Sequence, residues 1–78
     1  MNLSEAVRLR ILQLCEQNHI TINGLAMLSG ISQSTVNSII DGTSKNPTLL
    51  TILRICLGLQ IELKDFFDDK VFLDLDDE

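Results

Sequence analysis

Seventy-eight residues leave room for one domain and no second. Apolar residues make up 45% of the chain, but only three residues are aromatic, all Phe. The core must therefore be Leu, Ile and Val, and stacking on single-stranded nucleic acid is disfavoured. The net charge of −5 is unevenly placed. Up to residue 61, Arg8, Arg10, Lys45 and Arg54 against Glu5, Glu16 and Asp41 leave +1. From residue 62, Lys64 and Lys70 against Glu62, Asp65, Asp68, Asp69, Asp74, Asp76, Asp77 and Glu78 leave −6. The acidity belongs to the end of the chain and the body is near neutral. Cys15 and Cys56 each fall in an apolar helical pattern and read as small buried hydrophobes of a reduced, cytoplasmic protein. With a lone His19 and no Cys-x-x-Cys pair, no metal site and no cofactor are expected. Neither a signal peptide nor an apolar run of membrane-spanning length is present, so no membrane partner is expected.

In chain order the pattern predicts five helices and no strand. Asn2 or Ser4 caps a first helix running to about Asn18, and Asn2 with Glu5 has capping-box spacing. Val7, Ile11, Leu14 and Cys15 follow the helical period, and Leu12 widens that face. Thr21 caps a second, short helix over about Ile22–Ser29, with Leu25, Ala26 and Leu28 expected inside. Gly24 within it costs about 1 kcal/mol relative to Ala. Gly30 supplies the left-handed residue that ends it.

Ser32 caps the third helix. Val36, Ile39 and Ile40 form its apolar stripe, and Gln33, Ser34, Asn37 and Ser38 its outer face. Short neutral hydrogen-bonding groups suit the edges of bases in a major groove. Two short helices joined by a tight turn containing Gly make a helix-turn-helix. Asp41 to Pro47 is a polar loop opened by Gly42. Thr48 caps a fourth helix with Leu49, Ile52, Leu53, Ile55, Cys56 and Leu57 apolar and Gly58 expected to end it. A fifth helix covers about Leu63–Asp68, with Leu63, Phe66 and Phe67 facing inward. The division expected is a helix-turn-helix domain over 1–68 and an acidic tail over 69–78. That tail alternates acids with Val71, Phe72, Leu73 and Leu75. It reads as a disordered end, as an apolar strip for dimer contact, or as a continuing helix.

Several features in register make the chain resemble the phage-repressor-like family of Cro/cI-type, XRE-like helix-turn-helix domains. Ile20-Thr21 with Leu25-Ala26 resembles the start of that family's second helix, and Gly30-Ile31-Ser32 its turn. Ser34-Thr35-Val36 with Ile39 and Gly42 resembles its recognition helix. Asn46-Pro47-Thr48-Leu49 and Leu57-Gly58-Leu59 resemble the two ends of its fourth helix, and Leu63 with Phe66-Phe67 its closing helix. The resemblance covers about residues 7–68. It implies an all-α, compact five-helix lambda-repressor-like fold and binding to double-stranded DNA, with the third helix in the major groove. It further implies base reading by Gln33, Ser34, Asn37 and Ser38, Gln33 pairing with adenine N6 and N7. Backbone contacts fall to Thr21, Asn23, Ser32, Thr43, Ser44, Lys45 and Asn46, which position the protein without reading sequence.

Three departures accompany the resemblance. Ile22 stands where many members have a Gln that reaches the DNA backbone, which leaves Asn23 as the substitute. Cys15 and Ile40 stand where many members have a partly buried Arg–Glu pair, so the two are expected to touch in the core. The third helix carries no Arg or Lys, so a lone copy is expected to bind weakly, with a shallow salt dependence. The reading is a small transcriptional regulator, a repressor, acting as a homodimer through the fifth helix and the tail. The alternative is a protein-interaction module of the same fold with weak or no DNA binding, or one whose acidic tail covers the third helix. No paired carboxylates, phosphate-cradling loop or organised nucleophile points to an enzyme.

Overall fold

The structure, a computed structural model, describes residues 1–43 and 47–77. Five helices follow in order: α1 (Leu3–Gln17), α2 (Ile22–Ser29), α3 (Gln33–Asp41), α4 (Leu49–Leu59) and α5 (Leu63–Phe67). A single 3₁₀ turn at Lys70–Phe72 comes last. Four helix starts form where the caps are written. The Asn2 side chain accepts from the Glu5 amide at 2.9 Å while the Glu5 carboxylate takes the Asn2 amide at 3.4 Å. The hydroxyls of Thr21, Ser32 and Thr48 accept the amides of Gly24, Thr35 and Thr51. Each bond satisfies a first-turn donor that has no partner inside its own helix.

The core is one aliphatic cluster that includes Val7, Ile11, Leu14, Cys15, Leu25, Val36, Ile39, Ile52, Ile55, Cys56 and Phe66. Cys15 lies inside it and Ile40 packs against its edge, so the positions of the absent ion pair are both apolar and both in the core region. α4 packs most extensively on α2, and α2 in turn holds α3. Gly58 permits the first of these contacts. A Cβ there would lie 2.8 Å from the Leu28 carbonyl oxygen and 2.8 Å from Ser29 Oγ.

Gly58 therefore does not end α4, as the sequence led us to expect. The helix runs on to Leu59, and Gln60 takes the left-handed conformation at φ 60°. Three residues expected inside are corrected: Leu28, Leu63 and Phe67. Leu28 is exposed, because the buried line of α2 runs through Leu25, Ala26 and Ser29. On α4 the buried line runs through Ile52, Ile55 and Cys56, and Leu49 and Leu57 are exposed. Phe67 and Leu63 are each only partly covered, whereas Phe66 is fully buried.

Arg10 is buried, at 7% exposure. Its Nε donates to the Phe66 carbonyl at 2.6 Å and its Nη2 to the Asp65 carbonyl at 2.7 Å. These carbonyls close α5, a five-residue helix, so the guanidinium caps its C-terminus. Nη1 meets Gln13 Oε1 at 2.5 Å and Asp69 at 3.5 Å.

Arg10 thereby also fixes the start of the tail. Phe72 packs on Phe67, with ring centroids 5.0 Å apart. Asp76 meets the Met1 amine at 3.4 Å, and its amide donates to the Met1 carbonyl at 3.0 Å. Asn2 and Asp76 form an isolated bridge. Residues 69–76 thus return along α1, neither continuing α5 nor lying over α3.

Candidate nucleic-acid interface

Gly30, at φ 66°, ends α2, and the Ile31 amide reaches back to the Ala26 carbonyl at 3.1 Å. Two residues later Ser32 starts α3 in an extended conformation. The turn is tight because a left-handed glycine and an extended cap reverse the chain within three residues. Val36 and Ile39 then anchor α3 in the core, which fixes the opposite face outward. On that face Ser34 and Asn37 are exposed, Gln33 is exposed at its edge, and Ser38 is half-buried.

The hydroxyls at the start of α3 form a cluster. Ser32 Oγ lies 2.8 Å from Thr35 Oγ1 and 3.3 Å from Ser34 Oγ. Thr21 and Asn23 are exposed at the start of α2, and Thr21 Oγ1 accepts a helix amide, leaving its proton to donate outward. Ile22 packs against the core and so extends it rather than reaching for a ligand.

Thr43 is exposed beyond Gly42, but both its donors are engaged. Its amide donates to Asp41 Oδ1 at 2.9 Å and its hydroxyl to the same atom at 2.8 Å. Ser44, Lys45 and Asn46 lie outside the described residues.

Asp41 is the residue that the sequence reading passed over, having treated it as the start of a loop. Ser34, Asn37, Ser38 and Asp41 stand at i, i+3, i+4 and i+7, one face of the helix. The Thr43 amide, then the Thr43 hydroxyl, holds the Asp41 carboxyl below the ordinary carboxylate value, so it is ionised at neutral pH. The outward face of α3 therefore carries neutral groups and one anion. Among the described residues the cations lie elsewhere: Arg10 in the core, Arg8 on α1, Arg54 on the exposed side of α4, Lys64 3.6 Å from Glu62, and Lys70 in the 3₁₀ turn. Burial pushes the thiols of Cys15 and Cys56 up, away from nucleophilic use. No helix among the described residues is long and apolar enough to cross a membrane.

A capped helix set at a tight turn, packed on α2 and α1, and five helices in this order define a helix-turn-helix domain. The family model for the Cro/C1-type helix-turn-helix DNA-binding domain matches residues 10–70, and the chain belongs to that family. Among solved structures it is similar to one described as the crystal structure of the prophage Lp1 protein 11. Sequence identity is 43%, the match covers 88% of this chain and 92% of that one, and the TM-score is 0.79. No curated protein matches the chain.

Proposed function

We propose that the protein binds double-stranded DNA sequence-specifically in the cytoplasm as a homodimeric transcriptional repressor. The carrying observation is the exposed polar face of α3, oriented by the Gly30–Ser32 turn in a chain of the Cro/C1-type family. Gln33, Ser34, Asn37 and Ser38 read base edges, and Gln33 bonds adenine bidentately. Thr21, Asn23 and Ser32 hold the backbone at the start of α2 and the turn, and Ser44, Lys45 and Asn46 hold it beyond α3. Thr43 contributes through the turn it makes with Asp41.

Selection of bound sequences from a random duplex library tests this directly. A two-fold-symmetric site is the expected result. Gln33→Ala should then weaken binding to that site by about 1–3 kcal/mol and relax preference at one position per half-site. The helical circular dichroism should be unchanged, because Gln33 is exposed. Few phosphates are neutralised, so log Kd should change with log salt by fewer than about 8 units per dimer.

One observation favours the alternative reading, a protein-interaction module: Asp41 places an anion on the outward face of α3 with no cation on that helix. Recovery of no sequence from the library would decide for that alternative.

A further inference from the structure

The segment from Glu62 to Asp76 is tied to the body at few points. α5 is five residues long and buries one side chain, Phe66. A helix of that length has no stability of its own. The 3₁₀ turn that follows buries none. The rings of the segment pack on one another: Phe66 lies 5.0 Å from Phe67 and 6.1 Å from Phe72, and Phe67 lies 5.0 Å from Phe72. Arg10 serves both halves of the segment at once. It bonds the Asp65 and Phe66 carbonyls that close α5, and it meets Asp69 at the start of the tail. Six acids stand against Lys64 and Lys70 between Glu62 and Asp76, a like-charge excess that favours release. The helices α2, α3 and α4 differ: each has a side-chain cap and buries two or more residues.

We propose that residues 62–76 form a single lid, hinged at Gln60–Ile61 and latched by Arg10, which opens as one unit while α1–α4 stay folded. The hinge is marked by Gln60, left-handed at φ 60°. The Ile61 amide donates to the Cys56 carbonyl at 2.9 Å, so Ile61 stays with α4 and the lid begins after it. Arg10 couples the two halves. If α5 lifts, its carbonyls leave the guanidinium and the Phe66 and Phe67 rings leave Phe72, so the tail loses its anchors with it. At the far end the Asp76 amide on the Met1 carbonyl closes the lid over α1. Cys56 is fully buried in the cluster that holds Phe66, so it lies beneath the lid. Burial pushes its thiol up, with the Asp65 carboxylate adding and Arg10 opposing, so lid and latch both stand close to the sulfur. α3 packs on α2 and α1, so the lid can open without displacing the α3 face. Opening bares the Phe66 end of the core and frees an acidic arm, whether or not the protein binds DNA.

Labelling of the full chain with N-ethylmaleimide, at reagent low enough to keep opening at equilibrium, tests the lid. Cys15, buried on α1, reports opening of the body, and Cys56 reports opening of the lid. In wild type Cys56 should be labelled at least about tenfold faster than Cys15, because a sub-global opening costs less than unfolding the whole. Phe72→Ala should speed both thiols by the same factor, since the lid is open in both reactive states. Asp69→Asn keeps an acceptor for the Val71 amide and removes the charge facing Arg10, so it should act in the same direction to a smaller extent. Gly24→Ala strengthens α2 outside the lid. It should slow Cys15 by about 2- to 5-fold and leave Cys56 unchanged. The amides of Phe66, Phe72 and Asp76 should share one protection against hydrogen exchange, below that of α4 amides. Equal labelling of the two thiols in wild type overturns the proposal. So does a Gly24→Ala protein in which Cys56 slows with Cys15, a Phe72→Ala protein in which Cys56 does not speed up, or independent exchange of the Phe66 and Phe72 amides.

Discussion

Two glycines in two helices should respond to the same substitution with opposite signs. Gly58→Ala adds a Cβ 2.8 Å from the Leu28 carbonyl oxygen and 2.9 Å from its carbon. Both are backbone atoms, so no rotamer change relieves the overlap, and α2 and α4 must part by several tenths of an ångström. Overpacking of that kind costs about 1–3 kcal/mol. Against it stands the gain of Ala over Gly in a helix, up to about 1 kcal/mol and smaller near the helix end. The net expectation is a loss of about 1–2 kcal/mol, or roughly 4–16 °C in Tm for a domain of this size.

Gly24→Ala meets only Thr21 Oγ1 at 3.4 Å and Ile20 Cβ at 3.7 Å, ordinary contact distances. There the propensity gain stands alone, and stability should rise by about 0.5–1 kcal/mol. Urea unfolding followed by far-UV circular dichroism measures both. A stabilised Gly58→Ala protein would refute the argument that Gly58 is required by α2–α4 contact. The double variant Ser29→Ala, Gly58→Ala should remain destabilised, since the Leu28 backbone is still in the way.

Arg10→Ala should destabilise the fold by about 3 kcal/mol, because it removes the buried donor to the Phe66 carbonyl and the guanidinium's bonds to the Asp65 carbonyl and the Asp69 carboxylate. Amide exchange along residues 69–76 should accelerate with it. Ser29→Ala alone should be neutral or stabilising by about 1 kcal/mol, because Ser29 Oγ is buried without a hydrogen-bond partner. Asp69 is held below the ordinary carboxylate value of 3.8, first by the Val71 amide and then by the Gln13 side chain and Arg10. A depressed folded pKa contributes stability present above the unfolded value and lost as pH falls through the folded one. The loss should begin near pH 4 and deepen below it, and Asp69→Asn should flatten that acid limb in pH-dependent unfolding.

Local rules made most of the helix starts legible. Asn2, Thr21, Ser32 and Thr48 are capping residues placed before apolar periods, and the protein uses all four. What the sequence hid is non-local. A glycine in a helix can mean a left-handed end or a close neighbour, and only the position of α2 shows that Gly58 is the second. Arg10 shares a face with Val7, Ile11 and Leu14, so its phase put it in the core, but its charge led the reading away. Its partners, the carbonyls of α5, lie more than fifty residues on. The return of the tail to Met1 has no local signal at all. On α3, the exposure of Gln33, Ser34 and Asn37 follows from the helical period. The same period placed Asp41 beside them, and it was missed because Asp before Gly also reads as a turn.

Asp41, on the outward face of α3, shapes how such a helix would bind duplex. A reading helix with no cation and one anion draws little from phosphate neutralisation, the main source of non-specific affinity. Each copy should therefore sit loosely on arbitrary duplex, and discrimination rests on hydrogen bonds made only at the right bases. Such contacts from one short helix give modest affinity. Two copies on a two-fold site would double the base contacts while leaving the non-specific background low. A chain that hides Arg10 in its core and keeps α2 and α3 free of Lys and Arg should draw its discrimination from base contacts rather than from charge.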